Sequence, residues 1–335
     1  MKKSLIALAV LGSVAGMAQA QSSVTLYGLA DIWVGSTKTE TNGVGKSVTK
    51  VDGSGLATSR FGLKGSEDLG GGLKANFQLE QGFNIDDGTA GTAGSAFNRQ
   101  AWVGLSGGFG EVQFGKTWSS YDDIRSSAND NFNANQAASF NTWVGYNDRP
   151  SNSIKYISPT VGGFSGSVTY GLGEDKLANP NGKSSNLTSL GLQYATGPVF
   201  VGLAYQSEKA GATDTKKTNT LLNGSYDFGM AKVVAGYNQF KDTATAGDKK
   251  ANEWNLGVEV PVAANLNFGL GYAQSKEKVA GTDSAKTTGY TASLLYSLSK
   301  RTTVYGVLSQ TKAKDIPFTT EVKDTLYAVG INHKF

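Results

Sequence analysis

The sequence predicts an all-β chain, a sixteen-stranded antiparallel transmembrane β-barrel. Three observations lead there. Large apolar residues alternate with small or polar ones, with a period of two, along most of the chain. The connections between alternating stretches are short and long in turn. The last stretch, TLYAVGINHKF, is itself alternating and ends the chain on an aromatic, Phe335. A frayed polar tail is commoner at the end of a soluble domain. A strand with one large apolar face and aromatics near its ends suits the closing strand of a membrane barrel.

Taken in order, the chain opens with a targeting segment. Lys2 and Lys3 precede an apolar run from Leu5 to Val14, and Ala18-Gln19-Ala20 is a small-residue cleavage site. The run is too short to span a bilayer as a helix. The expected organisation is a signal peptide at 1–20, cleaved after Ala20, and one barrel over 21–335. Val24, Leu26, Gly28, Ala30, Ile32 and Val34 share a face of the first strand, Phe61 and Leu63 mark the second, and Leu73, Ala75, Phe77 and Leu79 the third. Later strands alternate more cleanly: Trp254, Leu256, Val258 and Val260 oppose Glu253, Asn255, Gly257 and Glu259. The polar side is a wall able to line water.

Tight connections fall at 67–72, 106–110, 159–163, 195–198, 227–230, 261–265 and 297–300, most with the Gly, Pro, Asn or Asp that turns require. Long polar ones fall near 36–55, 84–97, 117–148, 172–187, 207–217, 241–251, 275–286 and 311–322. Seven short and eight long links join sixteen strands, with the short turns expected in the periplasm and the long loops outside the cell. Both chain ends then meet at one rim, and the first and last strands pair to remove the sheet edges.

Composition narrows the chemistry. Of 335 residues 44 are Gly, 6 are Pro and none is Cys, so thiol catalysis and sulfur metal sites are excluded. The single histidine, His333, sits on the apolar parity of the last strand, which argues against hydrolase triads and for no enzyme at all. Acid pairs such as Asp86-Asp87 lack calcium-loop spacing, so no metal or cofactor is expected. Without Lys2 and Lys3 the net charge of +4 falls by two, which leaves no basic field for nucleic acid.

Five stretches together resemble the trimeric general porins of Gram-negative bacteria, of the β-proteobacterial kind: SSVTLYGLADIWVG, SRFGLKGSEDLGGGLKANFQLEQGFN, FNRQAWVGLSGGFGEVQFGKTW, NSIKYISPTVGGFSGSVTYG and YAVGINHKF. The resemblance covers essentially the whole mature chain. It implies a homotrimer in the outer membrane, in contact with its lipids and lipopolysaccharide, and recognition by the barrel assembly machinery through Tyr327, Val329, Ile331 and Phe335. It also implies a water-filled channel for small hydrophilic solutes and ions, with a mild preference for anions, and a third long loop folded into the pore.

That loop carries Asp122, Asp123, Arg125 and Asp130 among packing aromatics, including Trp118 and Tyr121. It lacks the short acidic, proline-containing motif of some better-known porins, so the acid facing the eyelet stays open. Arg60, Arg99 and Arg149, with Lys64 and Lys155, are the candidates for a basic wall at the constriction. Arg60 and Lys64 have lumenal parity, as do Arg149 and Lys155. Arg99 has the parity of the outward set Ala101, Val103 and Leu105, against the family pattern. Either a bulge or irregular strand start turns it inward, or the outer face of this early strand lies in the trimer contact and Trp102 is lumenal. The alternatives to a general channel are one specific for sugars or dicarboxylates, which would want a lumenal aromatic track or a denser basic ladder, and a barrel adhesin.

Overall fold

The computed structural model describes residues 23–127, 144–179, 182–244, 247–316 and 319–335. The expected leader, 1–20, and Asp130 lie outside the described residues. In chain order the strands are β1 Ser23–Thr41, β2 Val44–Gly53, β3 Arg60–Gly70, β4 Leu73–Gly82, β5 Gln100–Gly107, β6 Gly110–Lys116, β7 Ser153–Ile157, β8 Phe164–Leu172 and β9 Asn186–Thr196. They continue with β10 Val199–Ala210, β11 Thr215–Asp227, β12 Lys232–Asp242, β13 Lys249–Ala263, β14 Leu266–Val279, β15 Thr282–Ser297, β16 Thr302–Asp315 and β17 Glu321–Lys334. One helix, α1, spans Ser120–Ser127.

These seventeen strands fill sixteen places in one closed antiparallel ring. β1 pairs with β2 along its far half, from Ile32↔Gly53 to Thr41↔Val44, and with β3 along its near half, from Ser23↔Ser66 to Leu29↔Arg60. β2 and β3 are thus one stave, interrupted at 54–59. The interruption folds inward onto the buried Asp31 carboxylate, which accepts from Gly55 N at 2.8 Å, Tyr305 Oη at 2.7 Å and Asn332 Nδ2 at 2.7 Å. Leu56 packs there against Trp33 and Tyr305. The ring closes where β1 meets β17, from Leu29↔Lys334 to Thr41↔Val322. Gly28 and Phe335 add two backbone hydrogen bonds of 3.0 Å below that ladder.

Polarity is inverted relative to a soluble domain. On β13, Trp254 and Leu256 are 38% and 52% exposed, while their neighbours Glu253 and Asn255 are 1% and 5% exposed. Tyr327, Val329, Ile331 and Phe335 all lie outward and exposed, as does His333. Water can satisfy the inner wall, whereas the outer wall offers lipid an apolar surface. No helix among the described residues is long and apolar enough to cross a membrane.

Several connections expected to be long loops are strand. Residues 36–55 form most of the β1–β2 hairpin, turning at Asn42-Gly43, and 275–286 form the β14–β15 hairpin, turning at Ala280-Gly281, all four with positive φ. The reason is length. A tilted strand crosses the hydrocarbon in about 9–11 residues, yet β1 has 19 and β15 has 16. Beyond the bilayer both faces meet water, so the hydrophobic alternation fades while the hydrogen-bond ladder continues. Gly28 has a further role. A Cβ there would lie 2.4 Å from Phe335 Cζ, so the small residue makes room for the closing ring.

Candidate functional site

After β6, residues 117–127 turn into the tube. Ser119 caps α1: its hydroxyl accepts from Asp122 N at 3.2 Å and its carbonyl from Asp123 N at 3.1 Å. Asp122 and Asp123 in the first turn and Arg125 in the last complement the helix dipole. The helix lies on the inner wall of β8–β11. Tyr121 and Ile124 pack on Ala204 and Leu221, an apolar footing in an otherwise polar wall. Hydrogen bonds fix the rest: Tyr121 N to Ser189 Oγ at 2.8 Å, Tyr121 Oη to Asn238 Oδ1 at 2.9 Å, and Asn223 Nδ2 to the Ile124 carbonyl at 2.7 Å. Two glycines make the seat. A Cβ at Gly191 would stand 2.7 Å from the Ser120 carbonyl oxygen, and one at Gly202 would stand 2.5 Å from Ile124 Cγ2.

Two of the loop acids, Asp122 and Asp123, lie in the described part of the loop, and each has a basic partner. Asp122 is buried beside Arg125, whose NH1 is 4.0 Å away, and accepts from the Tyr146 hydroxyl. Burial pushes the Asp122 carboxyl above its ordinary range, against the pull of Arg125 and Tyr146. Asp123 forms a 2.5 Å ion pair with Lys155, which also donates to the Trp118 carbonyl at 3.0 Å. Lys155, a candidate for the basic wall, therefore has its charge met by the loop and is 3% exposed. Lys64 lies along β3 from Arg60 on the same face, over the ring of Tyr27 at 5.2 Å.

The three arginines are brought together. Arg60 leads β3, Arg99 stands one residue before β5, and Arg149 lies in the return segment before β7. Arg99 Nε is 2.7 Å from Glu80 Oε1, and Arg60 Nε is 3.6 Å from Glu80 Oε2. Arg149 NH1 is 3.1 Å from Asp148 Oδ2. The Arg149 guanidinium sits 3.9 Å from the centroid of the Trp118 ring, and that of Arg99 5.5 Å. Three guanidinium groups share two carboxylates and one indole face. Burial holds the Arg149 guanidinium below its ordinary value; Asp148 opposes this and Arg99 adds to it. It stays charged at any physiological pH.

The Arg99 conflict has a local explanation. The ladder of β5 with β4 runs from Glu80↔Gln100 to Lys74↔Ser106, and Arg99 precedes it. Its backbone N–H donates to the Glu80 carbonyl at 3.2 Å, and strand parity does not yet govern its side chain. Trp102 is lumenal as well, beside Lys64 and Gln78. Glu80, Trp118 and Asp148 are the partners that the sequence did not single out for this cluster. Glu80 was the most legible, a lone carboxylate on the polar face of β4 in register between Gly62 and Gln100.

The model of a family described as Gram-negative porin matches residues 7–316. Outer membrane porin protein 32 of Delftia acidovorans is 36% identical over 348 residues, covering 99% of this chain and 95% of that one. An outer membrane porin of Bordetella pertussis is 32% identical over the full length of both chains, an alignment of 390 residues. Among solved structures, an anion-selective porin from Comamonas acidovorans superposes with a TM-score of 0.76 at 31% identity, over 94% of this chain and all of the other.

Proposed function

The chain belongs to the Gram-negative porin family and is an outer-membrane channel, and we propose that it passes small hydrophilic solutes by general diffusion with a mild preference for anions. The observation that carries the preference is the cluster of Arg60, Arg99 and Arg149, whose three positive charges form ion pairs, among the described residues, with Glu80 and Asp148. A residual positive charge at a narrow, poorly screened passage concentrates anions and repels small cations. Arg149 and Arg99 lie on Trp118, which fixes two long side chains that would otherwise sample many rotamers. The solved porin at 31% identity is an anion-selective one.

In this reading the short turns face the periplasm and the long hairpins face outward. The channel works as a homotrimer, its leader is removed after Ala20, and the assembly machinery reads the exposed residues of β17 through Phe335. The test is a planar-bilayer reversal potential across a KCl gradient. The native channel should reverse on the anion side, and R60Q/R99Q/R149Q should move the potential towards cations. A native channel that prefers cations, or a triple variant with unchanged potential, overturns the role given to the arginines.

A further inference from the structure

One rung of the inner wall sets a basic group and an indole on the same recess, below the arginine cluster. Lys64 of β3 is in register with Gln78 of β4, and Gln78 with Trp102 of β5. All three line a recess of about 380 Å³ that opens to the lumen, a volume within the range of small-molecule sites. Lys64 lies four residues from Arg60 towards the short-turn rim, about 13 Å along the strand. It is the next basic group down this wall for an anion that has passed the arginines.

Lys64 and Trp102 each keep a binding face open. Lys64 is exposed, and its amine lies over the Tyr27 ring at 5.2 Å. Among the described residues no carboxylate pairs with it. The Trp102 indole N–H donates to Gln100 Oε1 at 3.2 Å, which fixes the orientation of a half-buried ring. Trp33, Trp118 and Trp254 each have a partner on the ring: Lys50, two arginines and Tyr272. Among the described residues no ring and no cation lies on Trp102. Gly104, two residues further on the same face of β5, has no side chain to cover it. An indole face left to water forgoes the gain of being covered by another apolar surface. Gln78, between the two, donates through Nε2 to the Tyr27 hydroxyl at 2.6 Å and is held to the wall. Glu111 also lines the recess and brings a negative charge to it.

We propose that Lys64 and Trp102 form a weak subsite for planar aromatic monocarboxylates, the carboxylate on the Lys64 amine and the ring on the indole face. The two residues stand two strands apart, about 10 Å between their backbones. A long, flexible lysine can close that span onto a molecule the size of benzoate. An aliphatic acid offers no ring to stack, a neutral ring offers no charge, and a second carboxylate would meet Glu111. Weak holding suits a channel, where a solute must both enter and leave. The subsite rests on the reading of the chain as an anion-preferring channel. The test is single-channel conductance in planar bilayers at pH 7, with benzoate, acetate, isophthalate or benzyl alcohol at equal millimolar concentration on both sides. Benzoate should lower the native conductance saturably, and the other three should act several-fold more weakly. K64Q and W102L should each lose most of the benzoate effect, and K64R and W102F should retain it. An equal effect of any of the three other solutes, or an unchanged benzoate effect in K64Q or W102L, would overturn the subsite. The KCl reversal potential in the same membranes separates the two readings. Reversal on the anion side without a benzoate effect removes the subsite alone, whereas reversal on the cation side removes the reading beneath it.

Discussion

Glu80 is a carboxylate shared by two guanidinium groups, at 2.7 Å from Arg99 and 3.6 Å from Arg60, and it accepts from the Tyr27 hydroxyl at 3.0 Å. Its side chain is 4% exposed and that of Arg99 9%. Removing one partner of such a pair leaves a buried charge unmet, at a cost of about 3 kcal/mol. Glu80→Gln should therefore lower stability in urea by about that amount and raise the anion-to-cation permeability ratio, read from the reversal potential. An unchanged ratio would mean that the arginines do not set selectivity. At this scale the sequence is legible where parity rules. Arg60 and Lys64 sit inside a ladder and point where alternation says. Arg99 sits one residue outside its ladder. The pairing of Asp123 with Lys155 joins residues 32 apart through the path of a loop, which no local pattern encodes.

Among the elements, α1 depends on the absence of side chains beneath it. Gly202→Val would place atoms inside contact distance of Ile124 and Asn223 and should lift the helix off β10. The expected result is a larger single-channel conductance from a barrel that still migrates as folded on unheated gels; native conductance in a folded variant would contradict it. The link between β8 and β9 gives a pH test. Asp175 accepts from Ser185 Oγ, Asn179 Nδ2 at 2.9 Å and Ser185 N at 2.7 Å, which hold its carboxyl down to about 2, from an ordinary 3.8. A carboxyl depressed on folding stabilises the folded form above its unfolded pKa, and the contribution is lost as pH falls from there through the folded value. Pepsin cleavage beside the fully solvated Leu177 should thus accelerate between about pH 4 and pH 2, more in the native protein than in Asp175→Asn. Equal acceleration in both would remove Asp175 from that role. The strands themselves were legible within the bilayer and lost beyond it. Lipid imposes the alternation that marks them, and the hairpin extensions answer only to hydrogen bonding.

For the whole molecule, the ring of sixteen places followed from counting short and long links, although the second place turned out to hold two strands broken at 54–59. Counting succeeds because an odd number of staves cannot close with every neighbour antiparallel. What counting cannot give is the seam. There Phe335 lies over Gly28, and the two exchange backbone hydrogen bonds of 3.0 Å. Gly28→Val should obstruct this closure, and the fraction reaching the heat-modifiable, compact form on unheated gels should drop well below that of the native chain. Native folding yield would show that the closing ring has room elsewhere. The same seam has a consequence for chain order. Ser23, at the start of β1, and Phe335 emerge at one rim, five residues apart along the same strand direction, roughly 17 Å. A short linker spans that gap, and the Asn42-Gly43 turn at the other rim offers a place to open the chain. The barrel is thus compatible with circular permutation: its architecture is defined by which staves are neighbours and not by where translation begins.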